Sequence, residues 1–193
     1  MSTCRQVDIK RLIAYSSVAH MGIVTIGLFT HTLEGLIASV FLMIAHGVVS
    51  PALFIAVTLL YNRHHTRLIR YYRGIAIAMP LFSVLFMILT LANIAIPLSC
   101  NFVGEFLSLV AAYSTSVSLG VFTASSMVIS AIYSLYLYSR VCFGQPSPHI
   151  LFSRDINRRE LHGQLPLIFN ILLLGIVPSL VLSFIGTSLI RHL

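Results

Sequence analysis

A few ionisable side chains stand inside or at the edge of long apolar stretches, where a charge is costly. Glu105 is the only acid well inside such a stretch. His20 and His46 lie within two others, and Lys10 opens the first. An ionised carboxylate facing lipid costs at least about 2.5–3.5 kcal/mol, so Glu105 must be paired, neutralised or turned towards water. A histidine accepts and releases protons near neutral pH, and ionisable groups placed at membrane depth are typical of an ion or proton pathway.

Small polar side chains share helical faces with these groups, because residues three or four apart lie on one side of an α-helix. The sets are Ser17 with His20, His46 with Ser50, and Asn101 with Glu105 and Ser108. Close packing of small polar residues is an alternative explanation for the first set. Pro51 removes one helical hydrogen bond, so we expect a loosened turn that admits water beside His46. The sequence predicts a hydrated pathway past Glu105, His46, His20, Lys10 and Ser50.

Motifs for soluble catalysis or cofactor binding are missing from the sequence. It contains no G-x-G-x-x-G, P-loop or C-x-x-C motif, and Cys4, Cys100 and Cys142 are isolated. Facing histidines in helical bundles also bind haem, but His20 and His46 lack a clear cage of aromatic and glycine residues. We expect no metal and no cofactor in this chain.

The elements that carry these side chains are apolar stretches of membrane-spanning length. The chain has 193 residues, of which 58% are hydrophobic and 9% charged, which excludes an ordinary soluble domain. A span needs roughly 20 apolar residues, so we predict an all-α polytopic membrane protein with about six transmembrane helices. They cover approximately residues 12–30, 36–61, 75–97, 102–118, 120–141 and 165–190. In the fifth span, serines at 126, 130 and 134 indicate close helix packing, and Tyr133, Tyr136 and Tyr138 suggest an interfacial belt.

The net charge of +7 lies in short connections between spans, which indicates contact with lipid headgroups rather than with nucleic acid. With six crossings, eight of the twelve basic residues fall on one side of the membrane, together with both termini. The other four are Arg140, Arg154, Arg158 and Arg159. The bias predicts termini on the inner side. The polar N-terminus MSTCRQVDIKR leads straight into the first span, so we expect no signal peptide or presequence.

Five segments carry a family resemblance. They are DIKRLIAYSSVAHMG (8–22), MIAHG (43–47), RHHTR (63–67), IPLSCNFVGEF (96–106) and SAIYSLYLYSR (130–140). In this order they resemble the C-terminal half of the subunit 4 family of the proton-pumping NADH:ubiquinone oxidoreductase, respiratory complex I. The resemblance covers nearly the whole chain and is weakest in 142–164 and in the last span.

The resemblance implies an antiporter-like membrane-arm subunit with about 14 transmembrane helices in two inverted five-helix repeats, each with a broken helix. Residues 1–141 would be the second repeat, helices nine to thirteen, with the break near Pro97–Glu105. Residues 142–164 would be a loop and 165–193 a C-terminal transmembrane helix, the fourteenth. Glu105, His46 and Lys10 match the acid, histidine and lysine of the family. The chain departs from the family at Pro51 and at Asn62, which stands where the family usually has an acid before the arginine and so puts an ion pair there in doubt.

By resemblance, the chain is a subunit without redox chemistry in a proton-translocating NADH:ubiquinone reductase, and contributes half of a proton channel. FMN, iron–sulfur clusters and ubiquinone would belong to other subunits. A scaffold without conduction and a cation/proton antiporter subunit are the alternatives. Expected partners are other antiporter-like subunits and lipids such as cardiolipin, with no nucleic acid. The first repeat of the family is not in this sequence, so we expect a split gene with the N-terminal half on a separate chain. The expected location is the mitochondrial inner membrane rather than a bacterial plasma membrane.

Overall fold

The computed structural model describes residues 3–147 and 153–192, and these are almost entirely helical. Short 3-10 turns occupy Thr3–Arg5 and Ile69–Tyr71. The α-helices are α1 (Ile9–Phe29), α2 (Leu33–His64), α3 (Ile75–Ala78), α4 (Pro80–Asn93), α5 (Cys100–Thr115), α6 (Val117–Cys142), α7 (Arg158–Ile176) and α8 (Ser179–His192). The all-α class predicted from the sequence is confirmed. The central helix is α2, which packs against α1, α4, α5, α7 and α8.

Three of these helices, α1, α2 and α6, are long and apolar enough to cross a membrane as continuous helices. By length and composition α7 and α8 together are a candidate for a fourth crossing, and they are bent by 68° at the junction between them. The sequence predicted one transmembrane span over approximately 165–190, but the structure has two helices there, and α7 already begins at Arg158. The bend follows from Pro178, which lacks a backbone N–H and disfavours a helical conformation at Val177, where φ is −120° and ψ is 65°.

The helices α4 and α5 have 14 and 16 residues, so they are about 21 and 24 Å long and each is too short for a 30 Å apolar layer. Both lie along α6. Asn93, at the end of α4, donates a hydrogen bond to Ser134 near the C-terminal end of α6 (3.3 Å). Tyr113, near the end of α5, packs against Gly120 at the start of α6. The two short helices therefore follow each other along α6 and form one broken crossing.

The break lies between Asn93 and Cys100, where Ala95 and Leu98 have positive φ angles of 63° and 82°. This confirms the break expected near Pro97–Glu105. It also explains why the number of crossings is lower than the predicted six: the stretches 75–97 and 102–118 are two halves of one crossing. Two separate crossings and one broken crossing show the same spacing of apolar residues, so the sequence pattern alone did not distinguish them.

One end of the bundle gathers the starts of α1, α4 and α7 and the ends of α2 and α6. The backbone N–H of Ile9 donates to the carbonyl of Arg67 (3.0 Å), and that of Gly74 donates to Phe143 (3.3 Å). We call this end, formed by residues 3–11, 61–80, 140–147 and 153–160, the basic face. It carries eleven of the twelve lysines and arginines of the chain.

The exception is Arg191, which follows Gly186, a residue near Ile37 at the other end of α2. The predicted division of eight against four was wrong, because it counted α4 and α5 as separate crossings. With one crossing there, Arg140, Arg154, Arg158 and Arg159 join the basic face.

Arg63 ties the basic face together. Its guanidinium lies 2.5 Å from the Glu160 carboxylate and donates to the carbonyls of Arg154 (2.9 Å) and Asp155 (3.2 Å). The Asp155 carboxylate in turn accepts hydrogen bonds from two free backbone N–H groups at the start of α4, at 2.9 and 3.2 Å. Asn62 supplies no acid beside Arg63, and Arg63 forms its ion pair with Glu160 of α7.

The connection between α2 and α3 is held by Tyr72, which is buried and donates a hydrogen bond to the carbonyl of Thr66 (2.6 Å). Burial raises the pKa of Tyr72 to about 12, and the nearby Tyr61 adds to this shift. The phenol therefore stays neutral and keeps its donor at physiological pH, which holds this loop at the basic face.

Candidate functional site

Glu105 on α5 and His20 on α1 form a buried pair. Glu105 Oε1 lies 2.8 Å from His20 Nδ1, and the two residues are 3% and 1% exposed. The carboxylate expected from the sequence to need a partner is therefore paired. Asn101 and Ser108 share its helical face, and both are fully buried as the spacing predicted.

The second histidine, His46 on α2, lies beside the first. The ring centroids of His20 and His46 are 5.3 Å apart and their planes are tilted by 37°. We call His20, His46 and Glu105 the histidine–glutamate cluster. The cluster is brought together where α5 crosses α2 closely at Gly104: a Cβ built there would lie 2.9 Å from the Cβ of Leu42 and 3.0 Å from its Cα.

Ser50 lies one helical turn from the cluster, on the side of the basic face. Its hydroxyl is 3.3 Å from that of Ser17, so the two serines join α1 and α2 there. The predicted faces of both helices are confirmed, because Ser17 accompanies His20 and Ser50 accompanies His46 in one contact region.

Lys10 does not join the cluster. Its Nζ lies 4.7 Å from the centre of the Tyr61 ring, which Arg67 also approaches at 5.2 Å. The distance along α1 from Lys10 to His20 is about 15 Å at 1.5 Å per residue. Lys10 is therefore at the basic face, on the same helix as His20 and separated from it by the Ser17 level.

Several buried polar atoms of the bundle have no hydrogen-bond partner among the described residues. They are His20 Nε2, His46 Nδ1, both amide atoms of Asn101 and of Gln164, and the Tyr133 hydroxyl. Buried polar groups in proteins are nearly always hydrogen-bonded. The cluster therefore has donors and acceptors to offer to water or to a moving proton.

Sequence reasoning missed two of these side chains as members of the interior. Tyr133 was expected in an interfacial belt, but it is 4% exposed and therefore lies inside the bundle. Gln164 was assigned to a loop, but it lies in α7 and is buried. A signal for Tyr133 existed: it is adjacent to Ser134 and three residues from Ser130, which form the predicted packing ridge.

Pro51 does not open the backbone beside His46 as expected. The helix α2 continues through Pro51, and this proline is exposed on the outside of the chain. The carbonyl that loses its bond belongs to Gly47, which faces open space. Residues 47 and 51 therefore share the outer side of α2, whereas His46 and Ser50 share the inner side.

The cluster brings one carboxyl group and two imidazole rings, which are side chains that can bind and release protons, into one buried region. In the described part of the chain, no group of three or more His, Cys, Asp or Glu side chains is arranged to hold a metal ion.

Comparison with known proteins finds close relatives. The family model described as "NADH:quinone oxidoreductase/Mrp antiporter, TM" matches residues 1–130. The protein named NADH-ubiquinone oxidoreductase chain 4 from Metridium senile is 64% identical over 183 residues, which is 95% of this chain and 37% of that protein. The chain thus spans less than two-fifths of the length of this curated relative.

Solved structures show the same helical arrangement. Respiratory complex I from Thermus thermophilus contains a chain that matches with a TM-score of 0.89 and 30% identity, over 97% of this chain and 40% of that one. The Mrp complex from Dietzia sp. matches with a TM-score of 0.86 and 19% identity, over 96% of this chain and 43% of that one, which shows the shared fold alone. From the family match over most of its length, this chain belongs to the NADH:quinone oxidoreductase/Mrp antiporter family of membrane proteins.

Proposed function

We propose that this chain is a proton-relaying part of an antiporter-like membrane-arm subunit of NADH:ubiquinone oxidoreductase. The observation that carries the proposal is the buried hydrogen bond between His20 and Glu105 with the ring of His46 beside it. Ionisable side chains are costly to bury inside a membrane bundle, and in membrane proteins they mark ion or proton pathways. The name of the Metridium senile relative and the match to a complex I chain support this assignment.

In this proposal the proton passes along α1 and α2. Lys10 stands at the entrance on the basic face, and Ser17 with Ser50 lines the connection to the cluster. His46 is the central relay, His20 transfers the proton, and Glu105 receives it at the α5 side. Movement of a positive charge near Glu105 would change its affinity for the proton, which is how a conformational change elsewhere in the complex would drive the relay.

The chain has no redox role in this proposal, and NADH oxidation and quinone reduction take place in other subunits. FMN, iron–sulfur clusters and ubiquinone would be bound there. In support, the cysteines are dispersed, with Cys4 exposed near the N-terminus and Cys100 and Cys142 buried on α5 and α6. The chain would assemble with other antiporter-like subunits in the mitochondrial inner membrane. It would also act together with a polypeptide segment that corresponds to the part of these relatives that it does not match.

The test compares two glutamate variants in sealed membrane vesicles that contain the assembled complex. Glu105→Gln removes the ionisable group but keeps a side chain of the same size. We expect a several-fold fall in NADH-driven proton transport and in coupled quinone reduction. The control is Glu34→Gln, an exposed acid in the first turn of α2, which should leave both rates unchanged.

The rival function is a scaffold that holds the membrane arm together without conducting. It predicts that Glu105→Gln changes the amount of assembled complex but not the number of protons transported per NADH oxidised. Assembly is therefore measured in the same vesicles by native gel electrophoresis. Normal proton transport by a normally assembled Glu105→Gln complex would support the scaffold and remove the cluster from the pathway.

A further inference from the structure

A cavity on the basic face lies away from the histidine–glutamate cluster. Its volume is about 250 Å³, and it lies between the N-terminal segment, the loop after α2 and the C-terminal end of α6. Three arginines line it, Arg70 and Arg73 from the loop and Arg140 from α6, together with Tyr136 and Val7. Three positive charges thus converge on one small volume at the end of the bundle.

Acidic residues do not compensate this charge, since none of the five acids of the chain lines the cavity. Each is placed elsewhere: Asp8 with Arg11, Glu34 at the start of α2, Glu105 with His20, Asp155 on the start of α4, and Glu160 with Arg63. No hydrogen bond or ion pair joins Arg70 or Arg73 to another side chain in the described part of the molecule. Repulsion between the three guanidiniums favours an anion in the cavity.

The donors in the cavity suit a phosphate group. Guanidinium groups bind phosphate oxygens through paired N–H donors. Arg140 is held in position because its Nε donates to the Tyr136 hydroxyl (3.1 Å) while its guanidinium lies over the same ring (5.6 Å). The hydroxyl proton of Tyr136 remains available to donate to a phosphate oxygen.

An apolar track leads from the cavity into the membrane. Ile132 and Ile129 lie one and two turns below Tyr136 on the same side of α6, and both are exposed, Ile132 by 61%. Basic pockets between transmembrane helices on the inner side of a membrane bind the headgroups of anionic lipids. We infer that the cavity binds the phosphate of an anionic phospholipid, with one acyl chain lying along Ile132 and Ile129.

The test measures binding of fluorescent phosphatidylglycerol to the purified full chain in detergent, with phosphatidylcholine and inorganic phosphate as competitors. The wild type should bind phosphatidylglycerol, and neither competitor should displace it at equal concentration. Replacing Arg70, Arg73 and Arg140 together by Gln should weaken binding by about a hundredfold. The matched control replaces Arg154, Arg158 and Arg159 by Gln, which are exposed on the same face outside the cavity, and should retain binding.

The acyl-chain part of the inference has its own variant. Ile132→Asn keeps all three arginines and should weaken binding of phosphatidylglycerol while leaving binding of inorganic phosphate unchanged. If the triple arginine variant does not fold, the Ile132→Asn variant still tests the inference. Equal losses in the two triple variants, displacement by inorganic phosphate at equal concentration, or an acidic side chain of another subunit in the cavity of the assembled complex would each overturn the inference.

Discussion

At the scale of single residues, Glu105 illustrates how a costly side chain is kept inside a membrane bundle. It is paired with His20 rather than exposed to lipid, and the pair leaves one ring nitrogen of each histidine of the cluster without a protein partner. The pairing reduces the cost of burying the carboxyl group. In the proposed function the free nitrogens would bind the moving proton, so the same arrangement would serve both stability and relay.

Removing only one member of the pair should be worse than removing both. His20→Leu leaves the buried Glu105 carboxylate without its partner, so we expect a clear fall in the thermal stability of the purified protein. Adding Glu105→Gln to His20→Leu removes the uncompensated charge and should recover part of the loss, because losses from interacting residues are not additive. His162→Leu, at an exposed histidine of α7, is the control. Simple addition of the two single losses would show that the pair is not coupled.

At the scale of elements, the break between α4 and α5 is stabilised by another helix. Gly175 near the end of α7 packs directly on the backbone of Leu98 and Ser99, where a Cβ would overlap the chain. Leu98 has a positive φ of 82°, a conformation that is unfavourable for a side chain of this kind. Contact with α7 therefore helps to hold the broken crossing that positions Glu105.

A methyl group at this contact should loosen the break. Gly175→Ala must displace the backbone at Leu98, and overpacking of this kind costs about 1–3 kcal/mol. We expect a lower melting temperature and reduced coupled activity. Gly163→Ala in the same helix meets nothing within 4 Å and should be neutral or stabilising, since alanine favours helix. Equal melting temperatures for the two variants would show that α7 does not support the break.

At the scale of the whole molecule, the succession of α4 and α5 along α6 creates the charge asymmetry of the described residues. Because α4 and α5 together cross the membrane once, the ends of α2 and α6 meet the starts of α1 and α7 at the same end of the bundle. Eleven basic residues on one face strongly favour placing this face on the inner side of the membrane. The lipid site inferred above belongs to the same face.

The membrane topology of the chain can be determined by labelling with a membrane-impermeant thiol reagent in sealed vesicles. In a Cys4→Ser background, single cysteines at Asn62 and Arg158 on the basic face should be labelled from the same side. A cysteine at Ser118, at the start of α6, should be labelled from the other side; all three positions are exposed. Labelling of positions 62 and 118 from one side, with position 158 labelled from the other, would instead restore six crossings and contradict the broken span.

Much of the site could be predicted because the relevant physics is local. Helical periodicity places Ser17 with His20, His46 with Ser50, and Asn101 with Glu105 and Ser108, and each set lies on one face in the structure. The cost of burying a charge requires a partner for Glu105. Neither argument needs to know how the helices pack.

Contacts between distant segments required the tertiary structure. That His20, 85 residues away in sequence, pairs with Glu105 depends on the crossing of α1, α2 and α5 at Gly104. The position of Tyr133 inside rather than at the interface depends on which side of α6 faces α5. The position of Pro51 was predicted wrongly for a similar reason. A proline within a helix indicates that a backbone hydrogen bond is lost, but it does not indicate which side of the helix the proline occupies.

The amino-acid sequence by itself determined that this is a helical membrane protein with ionisable groups at membrane depth, because hydrophobicity and helical period are properties of single segments. Only the tertiary structure decided that two short helices share one crossing, that the histidines and the glutamate meet, and that the arginines gather on one face. These features depend on the order and register in which helices pack, and packing joins residues whose separation along the chain carries no local signal.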